Sequence, residues 1–163
     1  MVDASDADRL RPSLLDRLIG DEPGTPRGVY GYIGLRELRE SVARDLEWLL
    51  NSKRWLPYDL EEFPEANDSA LTYGVPDFST YSWRNPGDAD QIARLIEDTV
   101  RRFEPRLAPN SIKVELLPSG GVDDFKLSFR IDAVLHVEPV HEAVSYDTEM
   151  DLESTAIRIS RSS

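Results

Sequence analysis

From Leu35 to Asn51, apolar residues return at Leu35, Leu38, Val42, Leu46, Leu49 and Leu50. Steps of three, four or one trace a single stripe on a helix of 3.6 residues per turn. Between them lie Arg36, Glu37, Arg39, Glu40, Arg44, Asp45 and Glu47, a charged face expected to meet solvent. Glu40 stands four residues before Arg44, the favourable order for a pair worth ~0.3 kcal/mol. The same period returns at Ile92, Leu95, Ile96, Val100 and Phe103. Asp88 behind Pro86-Gly87 is the expected N-cap of this second helix, and Pro105 sets its end near Phe103. Arg101 and Arg102 fall in its last turn, where cations suit the negative end of the dipole. A shorter group, Leu14, Leu15, Leu18 and Ile19, opens at Pro12-Ser13 and closes at Gly20. It predicts roughly two helical turns, too short to stand without docking. Residues 21–34, rich in glycine and proline, read as a loop.

Beyond Pro109 the period falls to two. Ile112, Val114 and Leu116 alternate with polar residues, and so do Phe125, Leu127, Phe129, Ile131, Ala133, Leu135 and Val137. Val144, Tyr146, Thr148, Met150 and Leu152 follow, then Ile157 and Ile159 around Arg158. These are strands with one buried face, joined by turns at Pro118-Ser119-Gly120-Gly121 and at Glu138-Pro139. Helices followed by strands give an α+β fold: two main amphipathic helices and a short N-terminal helix on a mainly antiparallel sheet of three to four strands. Residues 1–11 read as a flexible polar terminus and 12–163 as a single domain. The strands at Val144–Leu152 and Ala156–Ile159 are the candidates for the sheet edge, where unpaired N–H and C=O groups offer a template for another chain.

The two helices are separated by a long connection, 52–87, that holds Pro57, Pro64, Pro76 and Pro86 and the acids Asp59, Glu61, Glu62 and Glu65. It also carries Trp55, Tyr58, Phe63, Tyr73, Phe78, Tyr81 and Trp83. So much aromatic surface is expected to wrap the body of the protein rather than stay in water.

Charge narrows the classes of partner. Among 163 residues, 19 Lys and Arg face 31 Asp and Glu, a net charge of −12. That balance opposes binding to phosphate backbones and to anionic lipid. The start of the sequence is acidic where a secretory signal is basic and then apolar, and no run of 18 apolar residues occurs. A soluble intracellular protein is the expectation. There is no cysteine, which excludes disulfides, thiolate nucleophiles and zinc–thiolate sites.

Catalytic constellations are sparse. His136 falls on the polar face of a strand and His141 on the loop after it; they can approach each other, but no spacing supplies further metal ligands. Neither a serine elbow nor a phosphate-cradling glycine loop before a helix is present, so neither cofactor nor metal is expected. Paired carboxylates in the connection are the one enzymatic reading, a lysozyme-like peptidoglycan hydrolase using acids such as Glu61 or Glu62 beside the aromatics. A binding domain for a small ligand, built on the aromatic loop, is a further alternative. Glu104-Pro105-Arg106 differs in kind. Proline holds two opposite charges in a fixed relative direction where the second helix stops, and the guanidinium fork grips carboxylates with two hydrogen bonds. The triplet reads either as a local clasp of the helix end or as a gripping point for a partner.

Four stretches, in order, resemble the TssE family: Pro12-Ser13-Leu14-Leu15-Asp16-Arg17-Leu18, Ser41 to Asn51, Tyr73-Gly74-Val75-Pro76-Asp77-Phe78 and Phe103-Glu104-Pro105-Arg106-Leu107. TssE proteins are baseplate components of the bacterial type VI secretion system, akin to the small wedge protein of contractile phage tails. The resemblance implies a structural α+β subunit, not an enzyme, in the cytoplasmic baseplate docked at the inner membrane. It would sit beside TssF and TssG, with TssK and the sheath proteins TssB and TssC as further contacts, and help start sheath assembly. It assigns partner binding to Glu104, Pro105 and Arg106, and implies no nucleic acid and no direct insertion into the membrane. The acidic stretch Asp59 to Glu65, and Ser154-Thr155 where a glycine would tighten the hairpin, depart from the pattern.

Overall fold

The computed structural model describes residues 10–13, 16, 32–54, 62–67, 69–78, 81, 85–117, 126–138, 140–151, 154 and 156–161. They form three helices, α1 (Leu35–Asn51), α2 (Pro64–Asn67) and α3 (Pro86–Phe103), and four strands, β1 (Lys113–Leu116), β2 (Lys126–Val137), β3 (Val140–Asp151) and β4 (Ile157–Arg161). The strands lie in the order β1-β2-β3-β4 with every neighbouring pair antiparallel. The fold is therefore α+β, with α1 lying over β4 and α3 over β1.

Both long helices bury most of the stripes that their sequences draw, with Leu35, Leu95 and Phe103 half-buried. On α1 the buried residues are Leu38, Ser41, Val42, Leu46, Leu49 and Leu50. On α3 they are Ile92, Ala93, Ile96, Thr99 and Val100. Against them stand Leu127, Phe129, Ile131, Ala133 and Leu135 of β2, and Val144, Tyr146 and Met150 of β3. Each Val, Leu, Ile, Met or Phe among them contributes about 1.5–3 kcal/mol when fully withdrawn from water.

Several expectations are corrected in detail. α3 starts at Pro86, not Asp88, because proline suits the first helical position and the Asn85 side chain accepts from Gly87 N–H as the cap. Glu40 pairs with Arg36 rather than Arg44, whose guanidinium goes instead to Asp16 and Asp45. The connection 52–87 is not without structure of its own: it contains α2 and a 3-10 turn at Ala70–Thr72. Of its aromatics, Phe78 and Tyr81 pack against the core, whereas Phe63 and Tyr73 stay largely exposed. β3 begins at Val140, paired with Val137 across a two-residue turn, so His141 is a strand residue and not a loop residue. Leu10, in the stretch read as a polar terminus, is buried and bridges Ile33, whose N–H donates to Leu10 O at 2.7 Å. The last hairpin turns without a glycine, because the Asp151 carboxylate accepts from Ser154 N–H at 2.8 Å and from its hydroxyl at 3.0 Å. The short N-terminal helix lies outside the described residues except for helical Asp16, and so do Trp55, Tyr58, Trp83, Phe125, Leu152, Pro139 and the Pro118–Gly121 turn.

The sheet has two edges, and they are unlike. Of the two strands expected at an edge, the one starting at Val144 belongs to β3, inside the sheet between β2 and β4. β4 is an edge, but α1 covers its outward backbone. Asn51 Oδ1 accepts from Ile157 N–H at 2.9 Å while Asn51 Nδ2 donates to Ile157 O at 2.7 Å, the two bonds that a neighbouring strand would make. One turn earlier, Glu47 accepts from Ile159 N–H at 3.1 Å. The other edge, β1, points the backbone of Lys113 and Glu115 inward to β2, so Val114 and Leu116 turn theirs outward. Among the described residues no side chain or backbone group pairs with those outward groups.

Candidate functional site

The α3 helix ends at Phe103 because Pro105 cannot continue it, and the chain folds back sharply through Glu104, Pro105 and Arg106. Glu104 N–H still donates to Val100 O at 2.9 Å, and two residues later the Arg106 carbonyl accepts from His136 N–H at 2.8 Å. The corner is thus pinned to the helix on one side and to β2 on the other. Leu107, which follows, is buried and bridges Leu135.

Within the corner Arg106 grips Glu104 with two parallel donors along one edge of its guanidinium: Nε donates to Glu104 Oε1 at 2.7 Å and Nη2 to Oε2. The Arg106 N–H donates to the same carboxylate at 3.1 Å. Nη2 also reaches Asp45 Oδ2 at 2.7 Å and Nη1 reaches Ser41 Oγ at 3.3 Å, both on α1. The Glu104 side chain is 4% exposed, that of Arg106 20% and that of Asp45 23%. Burial alone would lower the pKa of Arg106, but the hydrogen bonds and charges of Glu104 and Asp45 overcome it and hold the guanidinium charged.

The network continues past the triplet. Ser41 Oγ donates to Asp16 Oδ2 at 3.0 Å, Ser13 Oγ donates to the same oxygen at 2.8 Å, and Arg44 Nη2 lies 2.7 Å from Asp16 Oδ1. At Asp16 burial pushes the carboxyl upward, but the hydroxyls of Ser13 and Ser41 and the Arg44 charge outweigh it and leave the pKa below its usual value of 3.8. This pairing contributes to stability above that value and is lost as the pH falls through the lowered one. Arg44 also lies over the Trp48 ring, 5.1 Å from its centroid. Tyr73 packs edge-on against Phe103 with centroids 5.3 Å apart. Its phenol titrates higher than usual, through burial first and then the nearby charges of Asp45 and Glu104. Trp48 and Tyr73 remain 45% and 41% exposed, and Pro105 is exposed too.

The geometry therefore realises the clasp reading of the triplet and enlarges it. Three carboxylates (Asp16, Asp45, Glu104) meet two guanidiniums (Arg44, Arg106) on a rigid frame, with an aromatic rim open to solvent. Arg44 and Asp45, expected on a solvated face, and Ser41, for which the pattern predicts no role, belong to this network. The available signal was their membership in the same ordered stretches as the triplet, which the fold brings together from three distant parts of the chain.

Asp59 and Glu61 lie outside the described residues, while Glu62 and Glu65 are exposed, without the desolvation that a general acid requires. Among the described residues no group of three or more His, Asp or Glu converges on a point that would hold a metal. No helix among them is long and apolar enough to cross a membrane.

Comparison with protein families matches residues 36–140 to the family described as Baseplate wedge protein gp25. That span takes in α1, the connection, α3, the corner, β1 and β2. Comparisons with curated proteins and with solved structures give no match.

Proposed function

Because the chain belongs to the gp25 baseplate wedge family, a family of structural baseplate proteins, we propose that it is the TssE-type wedge subunit of a bacterial type VI secretion baseplate and acts without catalysis. It works in the cytoplasm, in a baseplate docked at the inner membrane. Its corner, Glu104-Pro105-Arg106 with the rim of Trp48 and Tyr73, is the gripping point for TssF and TssG. TssK and the sheath proteins TssB and TssC are further contacts. The observation that carries this reading is the convergence of the ordered motif residues on one charged corner, whose solvent-reaching members Trp48, Tyr73 and Arg44 are of the Trp, Tyr and Arg types that dominate binding energies.

The unlike edges support a role in sheath initiation. A strand donated by a sheath subunit adds to backbone left unpaired by the described residues, which favours β1 through Val114 and Leu116 over β4, where Asn51 and Glu47 already occupy the positions.

The test separates gripping from folding. Trp48→Ala removes an exposed ring outside the core, so the melting temperature is expected to move by no more than about 2 °C. Capture of TssF and TssG in co-purification is expected to weaken by roughly 30-fold, the scale of a central aromatic anchor. Unchanged capture by a folded Trp48→Ala chain overturns the corner as the gripping point.

A further inference from the structure

His136 and His141 are opposed across β2 and β3 at the hairpin end of the sheet. The His136 N–H is turned away from β3, toward Arg106 O, so the two residues form the closely spaced, non-hydrogen-bonded kind of cross-strand pair. Their rings meet edge to face with centroids 4.2 Å apart, and both residues are exposed. They share the outer face of the sheet with Val134 and Ala143, the adjacent pair, which bring no charge to the rings. The helices pack on the opposite face, where Leu135 and Val140 are buried.

We propose that His136 and His141 form a two-imidazole chelate for a borderline divalent transition ion, copper(II), nickel(II) or zinc(II), on the outer face of the β2–β3 hairpin. Nitrogen ligands sit about 2.0–2.1 Å from such ions, which places two of them roughly 3 Å apart on one metal. Rings already in contact reach that spacing by rotation of their side chains, with the backbone register unchanged. Imidazole donors suit copper, nickel and zinc, whereas calcium and magnesium take oxygen donors. Since no third protein ligand converges there among the described residues, the remaining positions belong to water or to a ligand from another molecule. Bound metal ties β2 to β3 one hydrogen bond away from the corner, through His136 N–H and Arg106 O. This inference is independent of the proposed function.

The experiment uses the full chain without a polyhistidine tag, titrated with copper(II) chloride or zinc(II) chloride at neutral pH and followed by calorimetry and by histidine ring NMR. One saturable ion per chain is expected, with both imidazoles perturbed together. His136→Gln and His141→Gln change exposed side chains, so circular dichroism is expected to show both variants folded. Each is expected to bind on the order of tenfold or more weakly, because the second ligand no longer acts at high effective concentration. The double variant is expected to lose saturable binding, and magnesium is expected not to compete. Equal affinity in either single variant, or saturable binding that survives in the double variant, overturns the chelate.

Discussion

Arg106→Ala is expected to lower the melting temperature by roughly 5–15 °C. The substitution removes the partner of a carboxylate that is 4% exposed and also releases Asp45 and Ser41 on α1. Breaking one side of a buried pair costs about 3–5 kcal/mol. Because the Arg106 side chain keeps 20% exposure, water relieves part of this, and about 2–4 kcal/mol is expected. At this chain length each kcal/mol moves the midpoint by about 2–4 °C. A thermal scan reads the effect directly, and a second variant identifies its source. Glu104→Gln combined with Arg106→Ala leaves a neutral amide in place of an unpaired charge, so the double variant is expected to be more stable than Arg106→Ala alone. A double variant no more stable than the single one would show that the cost lies in lost packing and not in the stranded carboxylate.

Gly74→Ala carries an expected loss of similar or greater size. Gly74 has φ +104°, a backbone state that side chains rarely adopt, and an added Cβ would lie 2.3 Å from Ser52 O and 2.8 Å from Ser52 C. Both atoms belong to the backbone that leaves α1, so no flexible side chain can give way. The same backbone accepts from Val75 N–H at 2.9 Å, and Arg54 N–H donates to Val75 O at 2.8 Å. Separating the strands of this small bridge adds about 1 kcal/mol per bond to a backbone strain of about 1–3 kcal/mol. A total near 3–5 kcal/mol is expected, or roughly 10 °C in the melting midpoint. Chemical denaturation with an unchanged m-value checks it. A stable Gly74→Ala chain would mean that the segment after α1 is free to move away from Val75. The glycine of the Tyr73–Phe78 stretch thus has a physical reason: it lets the connection pass close enough to α1 for Tyr73 to reach Phe103 and the corner.

The elements that were legible in the sequence are those whose signal is local. α1 and α3 announced themselves through stripes at the helical period, and β2 through an alternation sustained for its whole length. α2, with four residues and none buried, has no stripe to announce it. The start of α3 is ambiguous in the sequence because two N-terminal signals overlap: Asp88 and Asn85 can both cap, and the proline between them decides for Asn85. Edge identity is a property of strand order, which no local pattern encodes, so the alternation alone points to β3 as an edge and passes over β1. The seal on β4 joins residues 106 positions apart, Asn51 and Ile157. Charge pairing failed in the same way. Glu40 and Arg44 have suitable spacing on the helix, yet Arg44 finds partly buried carboxylates at Asp16 and Asp45 that leave Glu40 to Arg36. At the corner, Glu104 and Arg106 were visible as a local pair, while Asp45 and Ser41 join them only once α1 and α3 are side by side.

Hydrogen–deuterium exchange on the chain alone and in a reconstituted complex with its wedge and sheath partners shows which surfaces the partners hold. New protection is expected in two places, at the β1 amides of Val114 and Leu116 and at the corner around Arg106. The amides of Ile157 and Ile159, already bonded to Asn51 and Glu47, are predicted to exchange at the same rate in both states. Protection gained along β4, with β1 and the corner exchanging as they do in the free chain, would contradict that expectation.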